Sequence, residues 1–246
     1  MRRSSLRGWR YLVLAAFALG SMAYAATRPG ERMIQPPYLA ALIEDLTTAA
    51  RVIEPHSPVL ARIEAGEVDA AREMLSFRPL AEAPIPEGFP TFTPVGVIEL
   101  KRYPAYRKAV GASFWPLFQH ISRQDIPMTA PVEMTSDTGV RGDGEMAFLY
   151  QNTTVGEPGP IDGIEVADTG ETLVISLGVR GRTGQSQIDE ARETLEAWLA
   201  DQAIFRRVGQ GAESFRLFGY NSPMVADSEK YWEAQMLIEP IEPAAP

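Results

Sequence analysis

Hydrophobic residues alternate with polar ones, or recur every third to fourth position, in separate stretches of the chain beyond residue 90. Period two is typical of strands and period 3.6 of helices. The patterns predict strands over Val95–Arg102, Ala105–Gly111, Met146–Gln151, Thr172–Val179, Ser214–Gly219 and Glu233–Pro240. They predict one helix after Ser113, with an apolar face of Phe114, Leu117, Phe118 and Ile121. A second follows Ser186 and buries Ile188, Ala191, Leu195, Trp198 and Leu199.

This order of strands and helices, joined by short connections, is typical of an α+β domain. Its two halves are expected to pack as a closed or nearly closed sheet with the helices outside. We place this domain at residues 91–240, after a proline-rich linker at 83–90 and before a flexible tail at 241–246.

Residues 33–83 have a helical pattern instead. One apolar stripe runs from Leu39 to Ile53, and Glu54-Pro55 ends it because proline cannot continue the hydrogen-bond ladder. A second helix is predicted to begin at Ser57-Pro58 and to continue past Gly66 to Leu75. We expect this helical segment to pack on the main domain or on a partner.

The amino terminus resembles an export signal. Four arginines precede an uncharged, mostly apolar run over residues 11–27, and Ala23-Tyr24-Ala25 offers a small–x–small cleavage site. We therefore expect residues 1–25 to be a cleaved signal peptide and the protein to be secreted or periplasmic. An uncleaved membrane anchor is the alternative.

The amino-acid composition argues against several classes of function. The chain has no cysteine, which excludes disulfides, thiolate metal sites and a cysteine nucleophile. Its two histidines, His56 and His120, are too far apart in sequence for a helical two-histidine zinc site. The net charge of −9 argues against a nucleic-acid partner, which requires a basic face.

The segment Ile126–Met134 (IPMTAPVEM) stands out, because its two prolines block a helix and impose an extended path. It resembles the signature of the SOUL/haem-binding protein family, a KI-x-MT-x-PV stretch. Further resemblances follow in the family's order over roughly Thr93–Glu239, at Ile98–Pro104, Phe114–Ile121, Met146–Leu149, Gly219–Pro223 and Tyr231–Met236. His120 stands where the family usually has tyrosine, and the proline of the F-x-x-P strand and the arginines of the closing strand are missing.

The resemblance implies duplicated β-α-β-β units forming a barrel-like antiparallel or mixed sheet, and binding of haem or a related tetrapyrrole in a surface cleft. Haem is a flat apolar disc with two carboxylates, so it needs an apolar slot with cations at its mouth. His120 is the candidate iron ligand, and otherwise a surface or hydrogen-bonded helix histidine. Met128 and Met134 either flank the ring or fill the core.

Four basic residues are candidates for the haem carboxylates: Lys101, Arg102, Arg107 and Lys108. The alternative places them on a solvated strand face. We expect a non-catalytic carrier or sequestering protein for which haem is not needed for folding. The other hypothesis is a protein- or membrane-interaction module that uses the helical segment for docking. An enzyme is the weakest reading, because no nucleophile–base pair is visible.

Overall fold

The computed structural model describes residues 53–135, 145–209 and 214–241. Its helices are α1 (Pro58–Glu64), α2 (Val68–Ser76), α3 (Phe114–Arg123) and α4 (Gln185–Ala200). Its strands are β1 (Ile98–Tyr103), β2 (Tyr106–Gly111), β3 (Val132–Thr135), β4 (Glu145–Leu149), β5 (Gly159–Ile161), β6 (Ile164–Thr169), β7 (Thr172–Arg180), β8 (Phe205–Arg207), β9 (Phe215–Gly219) and β10 (Tyr231–Pro240). The predicted leader, the first predicted helix up to residue 52 and the end of the tail lie outside the described residues.

The strands form one sheet in the order β1-β7-β10-β9-β3-β4-β2-β6-β5, and β8 pairs with β10. Every strand pair in this sheet is antiparallel. The sheet is not closed, because β1 and β5 remain at its ends. The α+β prediction is therefore confirmed, with an open, barrel-like antiparallel sheet.

Both long helices lie on one face of this sheet, and strand alternation explains why. In β10, Trp232, Ala234 and Met236 belong to the core under α4, while Glu233 and Gln235 point to the opposite face. Strand β4 shows the same alternation under α3, where Phe148 joins the helix-side core and Leu149 joins a separate aromatic cluster. We call the side away from α3 and α4 the inner face.

Residues 84–97, which we call the strap, cross the inner face. The amide of Gly96 donates to the carbonyl of Gly178 at 2.8 Å, and Val95 forms an isolated parallel bridge with the same glycine. The predicted first strand consequently begins at Ile98 rather than Val95, and the predicted linker is packed structure rather than a spacer.

The described part of the helical segment is joined to the strap and β1. The Val59 amide donates to the Gly96 carbonyl, and the Ile98 amide donates to the Ser57 hydroxyl, each at 2.9 Å. The predicted second helix is two helices, because Gly66 adopts a φ of 76° between them. No helix in the described ranges is long and apolar enough to cross a membrane.

Other boundaries differ from the predictions in smaller ways. Helix α4 begins at Gln185 with Gly184 as its N-cap, so Ser186 lies inside the helix. Strand β3 emerges from the proline-containing motif, and β5, β6 and β8 had no prediction. These strands are short or mostly polar, so their alternation is weak in the sequence.

Gly178 is the glycine on which the strap crossing depends. A Cβ built there would lie 2.3 Å from the carbonyl oxygen of Thr93 and 2.5 Å from that of Pro94, and backbone atoms cannot yield as a flexible side chain does. We expect Gly178→Ala to lower the free energy of unfolding by roughly 2–3 kcal/mol. The measurement is urea denaturation, with Gly170→Ala as the matched control because nothing lies within 4 Å of its added carbon. Equal stability of the two variants would contradict this account.

Candidate functional site

His120 faces the interior of the protein. It is 3% exposed, and its Nε2 lies 2.7 Å from the hydroxyl of Tyr150, which is itself 1% exposed. Its Nδ1 is buried and has no hydrogen-bond partner among the described residues. Burial lowers the pKa of His120, with nearby Asp162 acting in the opposite direction. Of the two readings made from the sequence, the structure shows a hydrogen-bonded helix histidine; iron ligation stays a prediction.

The two methionines of the signature segment belong to different parts of the core. Met128 is half-buried against the cluster under α3, whereas Met134 is half-buried against the cluster under α4. Between them, the Thr129 hydroxyl donates to the Leu149 carbonyl at 2.6 Å, and the Ala130 amide donates to the Pro84 carbonyl at 2.9 Å. The Ala130-Pro131 peptide bond is cis. The motif thus ties β4 to the strap, and its methionines do not face one another across a slot.

The structure does not bring the predicted basic residues together. Lys101 lies on the inner face, 2.9 Å from Glu233, and Lys108 lies 2.6 Å from Glu133. Arg107 points the other way along β2 and pairs with both oxygens of Asp168, at 2.7 and 2.9 Å. These three cations already have acidic partners, so they form no shared basic mouth.

Arg102 is the exposed member of the four, 3.6 Å from the equally exposed Glu171. It lies between two surface recesses of about 370 and 350 Å³. Glu54 and Glu99 line the first recess together with Lys101 and Arg102, so its charges balance. Glu171 and Glu239 line the second, where Arg102 is the one cation among the described lining residues, and they disfavour an anionic ligand there.

Helix α3 instead presents aromatic rings to solvent. Trp115 is 69% exposed and Phe118 is 41% exposed, while Phe114 is half-buried beside them. The Phe114 and Phe118 rings are stacked at 5.8 Å, and Trp115 meets both edge-on at 5.6 and 6.0 Å. We call these three residues the α3 aromatic face.

The sequence analysis placed Phe118 on the buried side of this helix, and that assignment was wrong. The buried residues are Leu117, His120 and Ile121, which share one side of the helix. Trp115 and Phe118, three residues apart, form a second stripe on the other side. That spacing was visible in the sequence, but a helix with apolar residues on two sides does not reveal which side is covered.

The inner face carries a buried polar network centred on Glu233, which has no solvent exposure. The donors to its two oxygens lie at 2.8–3.5 Å and come from the Thr93 amide, Lys101, Gln235, Ser176, Tyr231, Tyr220 and Tyr103. Burial would raise the pKa of Glu233, but the Lys101 charge and these hydrogen bonds outweigh it and hold the pKa below its ordinary value. Sequence reasoning missed this residue, because an acid between apolar neighbours in a strand gives no sign of its partners.

A second buried pair lies on the same face. Arg216 donates to the Tyr106 hydroxyl at 2.7 Å and lies 3.5 Å from Glu133, which also pairs with Lys108. Burial would raise the pKa of Glu133, but the two cations outweigh it and lower that pKa. Within the described ranges no group of three or more histidine and acidic side chains could hold a metal ion.

The domain consists of an open antiparallel sheet with two helices on one face and a strap on the other. It therefore belongs to the α+β class, with a barrel-like sheet. The chain belongs to the SOUL heme-binding protein family, whose model matches residues 92–234, more than half of the chain. The match begins within the strap and ends in β10, so α1 and α2 lie outside it.

Solved structures show weaker likenesses. The EcmrR C-terminal domain is 14% identical with a TM-score of 0.45, over 58% of this chain and 98% of that one. A hydrolase from Listeria innocua is 11% identical with a TM-score of 0.42, over 64% and 94%. SAV2435 bound to tetraphenylphosphonium is 8% identical with a TM-score of 0.34, over 58% and 93%. A comparison with curated proteins finds no match.

The buried His120 predicts a pH dependence of stability. Its folded-state pKa lies below the unfolded value of about 6.5, so the folded protein binds fewer protons than the unfolded chain. The contribution of His120 to the free energy of unfolding is therefore present above about pH 6.5 and is lost as the pH falls below that value. We expect His120→Gln, which can still accept the Tyr150 hydrogen bond, to flatten the decline in unfolding free energy between pH 7.5 and about 5.5.

Urea denaturation across this pH range measures the effect. His56→Gln is the control, because it removes the other histidine and leaves His120 in place. An unchanged slope in His120→Gln would contradict the role assigned to the buried imidazole.

Proposed function

We propose that this protein is an exported, non-catalytic carrier or sequestering protein for haem or a related tetrapyrrole. The observation that supports it is the α3 aromatic face, which is solvent-exposed and lies inside the region matched to the SOUL family. Large exposed apolar patches on soluble proteins commonly mark binding sites.

The chemistry of the α3 aromatic face suits a macrocycle. Aromatic rings bury a large area against a flat apolar ligand and prefer offset or edge-on contacts with it. Arg123 follows Trp115 by eight residues on the same helix, about 12 Å along its axis. Its side chain is 63% exposed, and its guanidinium lies 3.8 Å from an exposed Asp162, so it remains available to a ligand carboxylate.

Haem iron would bring a redox-active, ligand-binding centre to this surface. His120 is the histidine of the same helix, but it faces inward and its Nε2 is engaged with Tyr150. We propose that the macrocycle contacts the aromatic rings, and that iron ligation by His120 requires the His120–Tyr150 contact to open. His120 and Tyr150 are both buried, so neither side chain reaches the exposed rings to donate or accept a proton there. This separation supports ligand binding without chemical conversion.

The rival hypothesis assigned docking to the helical segment. In the described part of that segment, Val59, Ile63 and Ala71 are buried in a cluster that includes Val97 of the strap. Glu54 accepts a hydrogen bond from the Trp198 indole at 3.0 Å, and Glu73 pairs with Arg180 at 2.8 Å. These contacts favour a structural role for α1 and α2 over partner capture.

Hemin titration tests tetrapyrrole binding. We expect added hemin to give a shifted Soret band with the unmodified protein and to quench Trp115 fluorescence. The double variant Trp115→Ala/Phe118→Ala should bind at least tenfold more weakly, a loss of about 1.4 kcal/mol or more. Leu100→Ala is the control, since it removes an exposed apolar side chain on β1, away from α3. The absence of any spectral change at micromolar hemin would count against the proposed function.

Export is tested by the mass of the protein recovered from its host. We expect the mature chain to begin near residue 26, in the secreted or periplasmic fraction, because the small–x–small site ends at Ala25. A full-length mass in the membrane fraction would favour the anchor instead.

A further inference from the structure

Phe89 enters the inner face from a surface turn. Glu87 and Gly88 are exposed, Gly88 has a φ of 75°, and the Phe89 amide donates to the Pro86 carbonyl at 3.2 Å. This is a tight turn with glycine at the position that needs a positive φ. The Phe89 side chain at its end is only 8% exposed. Residues 85–90, which we call the stopper turn, thus insert one ring into the protein from outside.

The pocket that receives this ring is aromatic. Phe89 meets Tyr103 edge-on at 4.9 Å and Tyr106 edge-on at 5.2 Å, and it lies parallel to Phe218 at 6.4 Å. The three receiving residues come from β1, β2 and β9, and each is at most 2% exposed. The rigid sheet therefore builds a ring-binding cage, and only its occupant comes from the strap.

Arg216 lies against the same rings. Its guanidinium carbon is 4.4 Å from the centre of the Phe218 ring and 5.3 Å from that of Tyr103. Its Nε donates to Gln235 at 2.9 Å and its Nη1 to Tyr106 at 2.7 Å. Arg216 is only 4% exposed. Its Nη2 is buried and has no hydrogen-bond partner in the described part of the chain. An unmet buried donor of this kind is unfavourable, and an anionic acceptor would satisfy it.

The formal charges around the cage balance. Three cations point to the inner face, Lys101, Lys108 and Arg216, and so do three acids, Glu99, Glu133 and Glu233. The preference for an anion therefore comes from the unmet donor on Arg216 rather than from the net charge of the face.

The stopper turn is attached lightly compared with its flanks. On one side the Pro84 carbonyl accepts from Ala130, and on the other the Thr93 amide donates to Glu233. Between residues 85 and 90, one hydrogen bond reaches another part of the described chain, from the Glu87 amide to the Gln151 carbonyl at 2.8 Å. The recess of about 370 Å³ lined by Pro90 and Lys101 lies beside the turn. Local opening of such a turn requires no change in the sheet.

From these observations we infer that the cage is a second binding site, closed by Phe89, for a small aromatic carboxylate. The ligand's ring takes the place of the Phe89 ring between Tyr103, Tyr106 and Phe218. Its carboxylate accepts from Nη2 of Arg216. The site is separate from the α3 aromatic face, which lies on the other side of the sheet.

Phenylacetate is the probe, with neutral phenylacetamide as its isostere. Saturation-transfer NMR on the unmodified full chain should show phenylacetate binding at millimolar concentration, and little with the amide. By calorimetry, Phe89→Ala should bind phenylacetate at least tenfold more tightly than the unmodified chain, because the competing ring is gone. Phe92→Ala is the matched control, since this strap residue packs on Tyr231 at 5.6 Å instead of entering the cage.

The role of Arg216 is tested in the Phe89→Ala background. Adding Arg216→Lys, which keeps the charge and loses the forked donor, should weaken phenylacetate binding at least tenfold and leave phenylacetamide binding unchanged. Unchanged amide binding also shows that the cage is still formed. If Phe89→Ala does not fold, Phe89→Leu is measured against the same expectations.

Three results would overturn the inference. One is no saturation transfer from the unmodified protein to phenylacetate. Another is an affinity in the Phe89 variant no higher than in Phe92→Ala. The third is equal binding of phenylacetate and phenylacetamide, which would mean that removing Phe89 creates only an apolar void.

Discussion

The carboxylate of Glu233 is the contact on which the inner face depends. It lies in the interior strand β10, has no solvent exposure, and joins β1 through Lys101, β7 through Ser176 and the strap through the Thr93 amide. A buried charge left without partners costs several kcal/mol, so these donors must converge for the protein to fold. The strap crosses the sheet beside these donors, where Gly178 leaves room for its backbone. The position of Phe89, four residues before Thr93, follows from this crossing.

The helices and strands with a periodic hydrophobic pattern could be predicted from the sequence, whereas the crossing of the strap over the sheet could not. The stripe of Ile188, Ala191 and Leu195 marks α4, because burial of one helix side leaves a period that a single segment displays. The strap has no period, and its three prolines between residues 84 and 90 are equally typical of a linker. What fixes its place is a set of contacts with β7 and β10, more than 80 residues away in the chain. No local pattern carries that information.

The candidate site was also predictable only in part. The helix that bears it was located correctly, but its orientation depends on the sheet beneath it, so His120 turned out buried and Phe118 exposed. The basic residues of β1 and β2 are neighbours in sequence, yet the alternation of a strand sends Arg107 and Lys108 to opposite faces. Nearness in sequence therefore suggested a cluster that strand geometry separates.

The two outer helices explain why an anionic macrocycle would be bound at one half of the sheet and not at the other. Helix α3 contains no acidic residue and carries Arg123 in its last turn. The exposed side of α4 bears Asp189, Glu190, Glu193 and Glu196. Each helix buries a comparable apolar side against the sheet, so shape alone would not distinguish them. In a chain of net charge −9, the lack of acids within α3 itself reduces the repulsion that a dicarboxylate would meet at Trp115 and Phe118.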